Sequence, residues 1–396
     1  TMHVWRGLPR TNELSSDSTH DGSGGGQYTM AIGSDWAFCI PLLGVGGDRG
    51  IYVTGAFRPG LSRSSGSNDP SDLREDIKFT ELVASILCAL MQSRDLQKRQ
   101  TSLGQFLSPV VMRSILEADP EEVLAPRETE VSVLFCDLRG FSRAAERNAD
   151  NLLGLLQRVS EALGIMTKHI LERGGVIGDF HGDAAMGFWG WPLSQRDAME
   201  RACQAALTIR RQFQESVAAA VAGSTDSLNL GAFQMGIGIA SGRAVAGRIG
   251  TADQGKISVF GPVVNLASRL EGLTKYLHAP ILLDEATAKK TRLTIDPKVG
   301  RFRRVARVQP YGLSNPLMVT ELLPPAGALG AIPEESFIEY ERGLDAFLAG
   351  QWSEALKLFN RVCDEDQVKD FLVEYILQHK RQCPPGWTGT IAMESK

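Results

Sequence analysis

Apolar residues recur at helical spacing in two long stretches of the chain. Residues 73–98 and 150–172 each place them three or four positions apart, so both stretches predict amphipathic helices. The second helix is expected to end at the pair Gly174 and Gly175. The positions are Ile77, Phe79, Leu82, Val83, Ile86, Leu90 and Leu96 in the first stretch, and Leu152, Leu153, Leu156, Val159, Leu163, Met166 and Ile170 in the second.

Short apolar runs predict strands on both sides of the second helix. EVSVLFCD (130–137) precedes it and FQMGIGIA (233–240) lies further on. Between them, 176–190 predicts a strand, a turn and a strand, and an Ala-rich stretch predicts a helix near 196–220. The order strand, helix, strand, strand, helix, strand is typical of a ferredoxin-like sheet with helices on one face.

The two ends of the chain differ from this central part. Residues 36–57 predict two strands joined by a Gly-rich turn, and with the following helix they resemble the C-terminal half of a GAF sensor domain. A generic small α/β piece is the alternative. Residues 324–396 predict a linker and a helical hairpin that resembles one tetratricopeptide-type repeat. A single repeat is too small to fold alone, so we expect the hairpin to pack on the neighbouring domain.

The expected organisation is therefore an α+β protein in four segments. These are a partial GAF-like region with a possible small-molecule ligand, a helical linker, a ferredoxin-like domain and a helical tail, at 1–72, 73–127, 128–323 and 324–396. The apolar stripe of the linker helix exceeds what a lone exposed helix needs, so we expect it to help hold a dimer.

Composition excludes some classes of function. The 42 Lys and Arg against 46 Asp and Glu give a net charge of −4, so no general electrostatic case for nucleic-acid binding exists. No apolar run is long enough to span a bilayer and no signal peptide is recognisable, which favours a cytoplasmic location. Because the chain begins with Thr, a membrane or sensor region upstream of it stays a possibility. The six cysteines show no metal-ligand spacing and are expected to be reduced thiols.

Two aspartates are placed where they could meet. Asp137 ends the first predicted strand and Asp183 lies at the turn leading into the third, and these strands are neighbours in a ferredoxin-like sheet. Close carboxylates repel unless a cation lies between them, and Mg²⁺ is commonly held by one or two carboxylates plus substrate phosphates. The alternative is two unrelated aspartates at strand ends.

Four motifs in this region resemble the class III nucleotidyl cyclases, the adenylate and guanylate cyclase family. They are VSVLFCDLRGFS, GGVIGDFHGDAAMGFWGWP, GIGIASGRAVAGRIGT and VFGPVVNLASRLEGLT, in the family's order within 128–323. The resemblance implies conversion of ATP or GTP to a 3′,5′-cyclic nucleotide and pyrophosphate, in signal transduction, with two Mg²⁺ or Mn²⁺. It also implies a head-to-tail homodimer in which one subunit supplies Asp137, the Leu138 carbonyl and Asp183, and the other supplies Asn265 and Arg269.

The chemistry of the other candidate residues agrees with these roles. Asn265 and Arg269 are four apart, so on a helix they face the same way, where an amide could orient a ribose and a guanidinium could meet phosphate charge. Without the motif, Arg269 would be a surface residue paired with Glu271 or another neighbour. Backbone N–H groups of Gly140, Phe141 and Ser142 could contact phosphates at a helix start.

The sequence departs from the family at the base-binding positions. Asp179 stands where adenylate cyclases usually have Lys and guanylate cyclases Glu, and Ser258 replaces the usual Asp, Thr or Cys. An ionised carboxylate only accepts hydrogen bonds, so a lone Asp179 favours guanine, which has two donor groups on its pairing edge. Most bacterial-type members of the family with this layout make cyclic AMP, and that frequency favours adenine. The alternative is that Asp179 faces solvent or pairs with an Arg, leaving the choice to Ser258 and backbone groups.

A second departure concerns the triphosphate. The family often has a Lys near position 309–311, where this chain has Gln309 and Tyr311. The nearby Arg301, Arg303, Arg304 and Arg307 could substitute for it or form a solvated strand face. This departure supports a rival function, a cyclase-like domain with weak catalysis that binds nucleotide or mediates dimerisation.

Overall fold

The structure is a computed structural model, and its contacts divide the chain into two compact units, 1–105 and 106–396. Within these units it describes residues 3–6, 36–42, 50–55, 74–104, 107–141, 146, 150–221, 233–251, 253–310, 312 and 315–393.

The first unit combines a small sheet with a long helix. Strands β1 (His3–Arg6), β2 (Trp36–Pro41) and β3 (Gly50–Gly55) form an antiparallel sheet in that order, and helix α1 spans Arg74–Gly104. The two strands and the helix predicted here are confirmed, whereas β1 was not predicted. The GAF resemblance stays a prediction.

The second unit is built on a nine-stranded sheet. Its helices are α2 (Pro109–Glu117), α3 (Pro120–Leu124), α4 (Leu152–Glu172), α5 (Ala198–Val221), α6 (Pro262–Tyr276), α7 (Glu285–Thr291), α8 (Glu334–Leu348), α9 (Trp352–Phe359) and α10 (Val368–Gln378). Its strands are β4 (Arg127–Arg139), β5 (Val176–His181), β6 (Ala184–Trp189), β7 (Gln234–Gly250), β8 (Gly255–Phe260), β9 (Ile281–Leu283), β10 (Arg301–Gln309), β11 (Leu317–Leu323) and β12 (Ile391–Ala392).

Four strands of this sheet have the predicted ferredoxin-like order. The sheet runs β12-β10-β11-β9-β7-β4-β6-β5, so the first and third strands of the motif, β4 and β6, are antiparallel neighbours. Strand β7 is longer than predicted. It pairs with β4 from Gln234 to Ala246, and its last residues, Gly247 to Gly250, pair with β8 alone. The prediction of the α+β, ferredoxin-like fold is confirmed.

Helices cover both faces of the sheet. Apolar residues of α4 and α5 share one buried cluster with Leu134, Cys136 and Leu138 of β4, which confirms the predicted helical face. Helix α6 packs on the opposite face, in a second cluster with Val131 and Val133. Alternation of side chains along β4 divides its residues between the two clusters.

The helical tail packs on the far end of the sheet, as the sequence predicted. Tyr340 of α8 donates its hydroxyl hydrogen to the Val305 carbonyl at 2.8 Å, and β12 pairs in parallel with the end of β10. The apolar residues of α8, α9 and α10 belong to the same buried cluster as α6. The tail is therefore part of the unit that carries the cyclase-like motifs.

Three of the four arginines on β10 have surroundings that differ from those expected from the sequence. They do not form a solvated strand face, because the tail engages each one, while a triphosphate contact stays a prediction. Arg301 pairs with Glu334 at 2.8 Å, Arg304 pairs with Glu341 and Asp345, and Arg303 is fully buried between Glu321 and Asp366. Desolvation of an arginine is tolerated only with such partners.

Two further expectations can be compared with the structure. The six cysteines are free thiols, as predicted. Among the helices in the described ranges, none combines the length and apolar character needed to cross a membrane.

Candidate active site

Asp137 and Asp183 come together at one end of the β4–β6 pair. Cys136 of β4 lies opposite Ala185 of β6, so the residue after Cys136 lies next to the turn that carries Asp183. Both carboxylates are partly buried and line one open cleft of about 1190 Å³. The predicted meeting of the two aspartates is confirmed, while their role as metal ligands stays a prediction.

Burial makes ionisation of both carboxylates more costly. Burial, followed by the negative charge of Asp137, raises the pKa of Asp183 to about 6. Burial also raises the pKa of Asp137, although the nearby Arg139 opposes that rise. Two half-buried carboxylates in one cleft form a place where a divalent cation would relieve repulsion.

A second ionic contact lies next to the aspartates and was missed by the sequence analysis. The Arg139 guanidinium of β4 bonds the Glu271 side chain, the Glu271 carbonyl and the Thr274 hydroxyl of α6. Glu271 thus has Arg139 as an ion-pair partner. The sequence signal was a charged residue two positions after Asp137, on the same face of an otherwise buried strand.

Close packing of α6 on β7 depends on a glycine. A Cβ added at Gly238 would lie 2.2 Å from the Ala267 carbonyl oxygen and 2.2 Å from the Glu271 backbone nitrogen. Only glycine lets the helix backbone approach the strand this closely. The approach fixes the height of α6 above the sheet and thus the position of Glu271 beside Arg139.

Asn265 and Arg269 lie away from the aspartate cleft. Asn265 is exposed in the first turn of α6 and Arg269 is half-buried one turn later, while the cleft is lined by Thr274 and Lys275 at the other end of that helix. The nine residues from Asn265 to Thr274 span about 14 Å along a helix. Within one chain, Asn265 and Arg269 are therefore not among the residues that line the aspartate cleft.

Asp179 has partners, which corrects the picture of a lone carboxylate. Its Oδ1 accepts the Phe180 N–H at 3.0 Å, Lys256 Nζ donates to its Oδ2, and His181 Nε2 lies 3.5 Å from the same oxygen. Burial alone would raise the pKa of Asp179, but the hydrogen bond and charge of Lys256 outweigh it and lower that pKa. The expected alternative partner was an Arg, and the actual one is a Lys from β8.

The remaining predicted residues fall in three places. Ser258 is buried on β8, opposite Gly247 of β7. Gly140 and Phe141 line the aspartate cleft directly after β4, with Gly140 at φ +88°, a conformation that suits a glycine turn. Leu138 has its side chain in the core. Ser142 and Tyr311 lie outside the described residues.

The family model for the adenylate and guanylate cyclase catalytic domain matches residues 123–291, which hold Asp137, Asp183, Asn265 and Arg269. Residues 123–291 form a domain of the adenylate and guanylate cyclase catalytic family.

Several individual proteins resemble this cyclase domain. Adenylate cyclase 1 of Rhizobium meliloti is 27% identical over 195 residues, 49% of this chain and 27% of that protein. Adenylate cyclase of Anabaena cylindrica is 30% identical over 189 residues, 47% of this chain and 35% of that protein. The chain thus spans about a third or less of the length of these curated relatives. A bacterial light-regulated adenylyl cyclase of solved structure is 20% identical, with a TM-score of 0.49 over 61% of this chain and 64% of that one.

The donor atoms of the cyclase domain fit a Mg²⁺ or Mn²⁺ ion. Across the described part of the chain, no three His, Cys, Asp or Glu side chains converge to hold a metal. The two carboxylates of Asp137 and Asp183 are hard oxygen donors, and Mg²⁺ in proteins is usually held by one or two carboxylates together with substrate phosphates. The raised pKa of Asp183 is the observation that favours a cation here, since a bound positive charge would stabilise its ionised form.

Proposed function

We propose that this domain converts a nucleoside triphosphate into a 3′,5′-cyclic nucleotide and pyrophosphate, at a site shared by two copies of the chain. The observation that carries the proposal is the separation within one chain. Asp137 and Asp183 line one cleft, and Asn265 and Arg269 are not among its lining residues. A head-to-tail pair of chains would bring the two halves together twice.

The aspartate half would hold the divalent cations. Asp137 and Asp183 would be their side-chain ligands, and Gly140 and Phe141 would present backbone N–H groups to the phosphates beside them. The bound cations would supply positive charge that polarises the phosphoryl oxygens and favours ionisation of the attacking hydroxyl.

The helix half would orient the nucleotide. Asn265 is exposed, so its amide is free to meet a ribose from the partner's side, and Arg269 would place its guanidinium near the negative charge that grows on the phosphates. In the reaction the ribose 3′-oxygen forms a bond to the α-phosphorus, and the bond to the pyrophosphate oxygen breaks. The hydroxyl proton leaves to solvent.

Dimerisation is supported by the exposed apolar face of α1. Phe79, Leu82, Ile86 and Leu90 are each more than half exposed and repeat at spacings of three and four residues. A second copy of the helix could cover this stripe by knobs-into-holes packing. The domain would then act as the output of a signalling protein whose input arrives through the first unit.

A rival function is supported by one observation on β10. Gln309 stands near the family's triphosphate lysine, and the tail holds Arg301, Arg303 and Arg304 in ion pairs. With these cations engaged, a domain that binds nucleotide without turning it over is the second candidate.

Product formation distinguishes the two candidates. The full chain is incubated with ATP, GTP, CTP or UTP and Mg²⁺ or Mn²⁺, and cyclic nucleotide and pyrophosphate are quantified by chromatography. Cyclic product that Asp183→Asn fails to make supports the cyclase. Nucleotide binding with no cyclic product under any of these conditions contradicts it and supports the rival.

A further inference from the structure

An ion pair connects two strands that are not neighbours in the sheet. Strand β5 pairs with β6 at one edge of the sheet, whereas β8 pairs with the end of β7, from Val245 to Gly250. The Lys256 ammonium nevertheless bonds the Asp179 carboxylate, so the β7–β8 arm lies over β5 at this point. The cation comes from a residue that neither the motifs nor the base-binding positions include.

The Asp179–Lys256 pair uses some of its hydrogen-bonding groups within the protein and keeps others for a ligand. Asp179 Oδ1 already accepts the Phe180 N–H at 3.0 Å, and Oδ2 already accepts from Lys256. An ammonium has three N–H donors, so Lys256 keeps two for another partner. Its side chain is 59% exposed, which leaves those donors accessible.

Ser258 extends the same polar group. It lies two residues after Lys256 on β8, so both side chains point to the same side of the strand. Ser258 is buried while Lys256 is exposed, so the hydroxyl lies towards the interior of the protein and the ammonium lies at its surface. Asn265 follows Ser258 by seven residues, at the start of α6.

Building on the proposed cyclase function, we propose that Lys256 contacts the base of the substrate and that the Asp179–Lys256 pair selects adenine over guanine. Adenine presents one acceptor, N1, beside one donor group, N6–H₂. A free ammonium N–H matches N1, and one remaining carboxylate lone pair matches N6–H₂.

Guanine fits the pair less well. Its N1–H and N2–H₂ donors lie side by side and would need both carboxylate oxygens together. In this chain Phe180 and Lys256 each take one lone pair of a different Asp179 oxygen, and the Lys256 ammonium would face the guanine N1–H donor to donor. Without the ammonium, the same carboxylate would favour guanine, so Lys256 sets the direction of the preference.

The test is the specificity ratio of one variant. Steady-state kcat/KM is measured for ATP and for GTP with the native full chain and with Lys256→Met, which keeps the apolar stem and removes the ammonium. Lys168→Met is the matched control, because Lys168 is an equally exposed lysine paired with Glu172 at 4.0 Å on α4. Thermal unfolding verifies that each variant is folded, and Lys256→Gln is measured in the same way should Lys256→Met fail to fold.

We expect the native chain to prefer ATP and the control to keep its ratio. In Lys256→Met, the ratio of ATP to GTP specificity should fall by about tenfold or more, because a donor to adenine N1 is lost and the carboxylate is freed. A native preference for GTP, or a ratio that stays within twofold of native in Lys256→Met, overturns the inference. Absence of cyclic product from the native chain overturns the proposed function itself, which is a separate result.

Discussion

Arg139 of β4 donates hydrogen bonds to both the side chain and the backbone carbonyl of Glu271 on α6. Burial raises the pKa of Glu271 to about 7, even though the positive charge of Arg139 opposes the rise. The folded chain therefore keeps a proton on Glu271 at pH values where the unfolded chain has lost it. This contact joins the strand that ends at the aspartate cleft to the helix that carries Asn265 and Arg269.

The raised pKa of Glu271 predicts a loss of stability with rising pH. Because the folded pKa lies above the unfolded value of 4.5, the free energy of unfolding should fall between about pH 4.5 and pH 7, by about 2 kcal/mol from this group. Glu271→Gln should remove this part of the slope. The measurement is urea unfolding of metal-free protein across this pH range.

Glu215→Gln is the control for this experiment. Glu215 is an exposed residue of α5 that pairs with Arg211 at 3.7 Å. Its replacement should leave the slope unchanged. An equal slope in native protein and Glu271→Gln would contradict the proposed protonation of Glu271.

The aspartate pair predicts pH-dependent metal binding. Since burial and Asp137 raise the pKa of Asp183 to about 6, cation binding must displace a proton below that pH. We expect Mn²⁺ affinity, measured by calorimetry, to fall by up to about tenfold per pH unit below 6 and to level off above it. Asp183→Asn should abolish this dependence and lower kcat by about 100-fold or more while preserving the fold. A Mn²⁺ affinity that is constant from pH 5 to 7 would count against the assignment.

Separation of the two half-sites predicts complementation between inactive variants. Asp183→Asn and Arg269→Ala should each be inactive as homodimers. In an equal mixture, half of the dimers are mixed and each holds one intact site, so we expect activity to recover to about a quarter of native. Cyclic nucleotide production after mixing and equilibration is the measurement.

The control mixes two variants that are both substituted in the aspartate half of the site. Asp183→Asn mixed with Asp137→Asn leaves every site without one of its aspartates, so no activity should return. Recovery in this control, or no recovery in the first mixture despite mixed dimers on native mass spectrometry, would exclude a site shared in this way.

Local patterns in the sequence predicted most of the central fold. The apolar runs that became β4, β6 and the first half of β7 are bounded by turns or helices, and the order of elements alone predicted that β4 and β6 are neighbours. From that contact followed the meeting of Asp137 and Asp183. A four-residue strand such as β1 lacks a repeating pattern and was missed.

Contacts between distant charged residues could not be predicted in this way. Lys256 and Asp179 are 77 positions apart, and their strands do not pair, so no local spacing connects them. Arg303 was expected at a solvated face or near phosphate, because a charged residue on a strand is usually exposed. Its burial depends on Asp366, which a helical tail brings to the sheet from 63 positions away.

The buried position of Arg303 predicts a large cost for its removal. Its guanidinium is fully buried, bonds Glu321 at 2.5 Å and bonds Asp366 with both terminal nitrogens. Arg303→Met would leave two buried carboxylates facing each other, which should lower the free energy of unfolding by about 3–5 kcal/mol.

Arg301 provides the comparison within the same strand. Its partner Glu334 is 64% exposed, which screens the ion pair, but Arg301 also donates to the Ile332 carbonyl at 2.8 Å, so Arg301→Met should cost about 1–2 kcal/mol, less than Arg303→Met. Both variants are compared by urea unfolding, and the KM for the nucleoside triphosphate is measured alongside. Because the tail engages both arginines, the KM of Arg301→Met should stay within about twofold of native, less than the tenfold that loss of a charged phosphate contact would produce. A KM that rises tenfold with unchanged stability would place this arginine on the triphosphate after all.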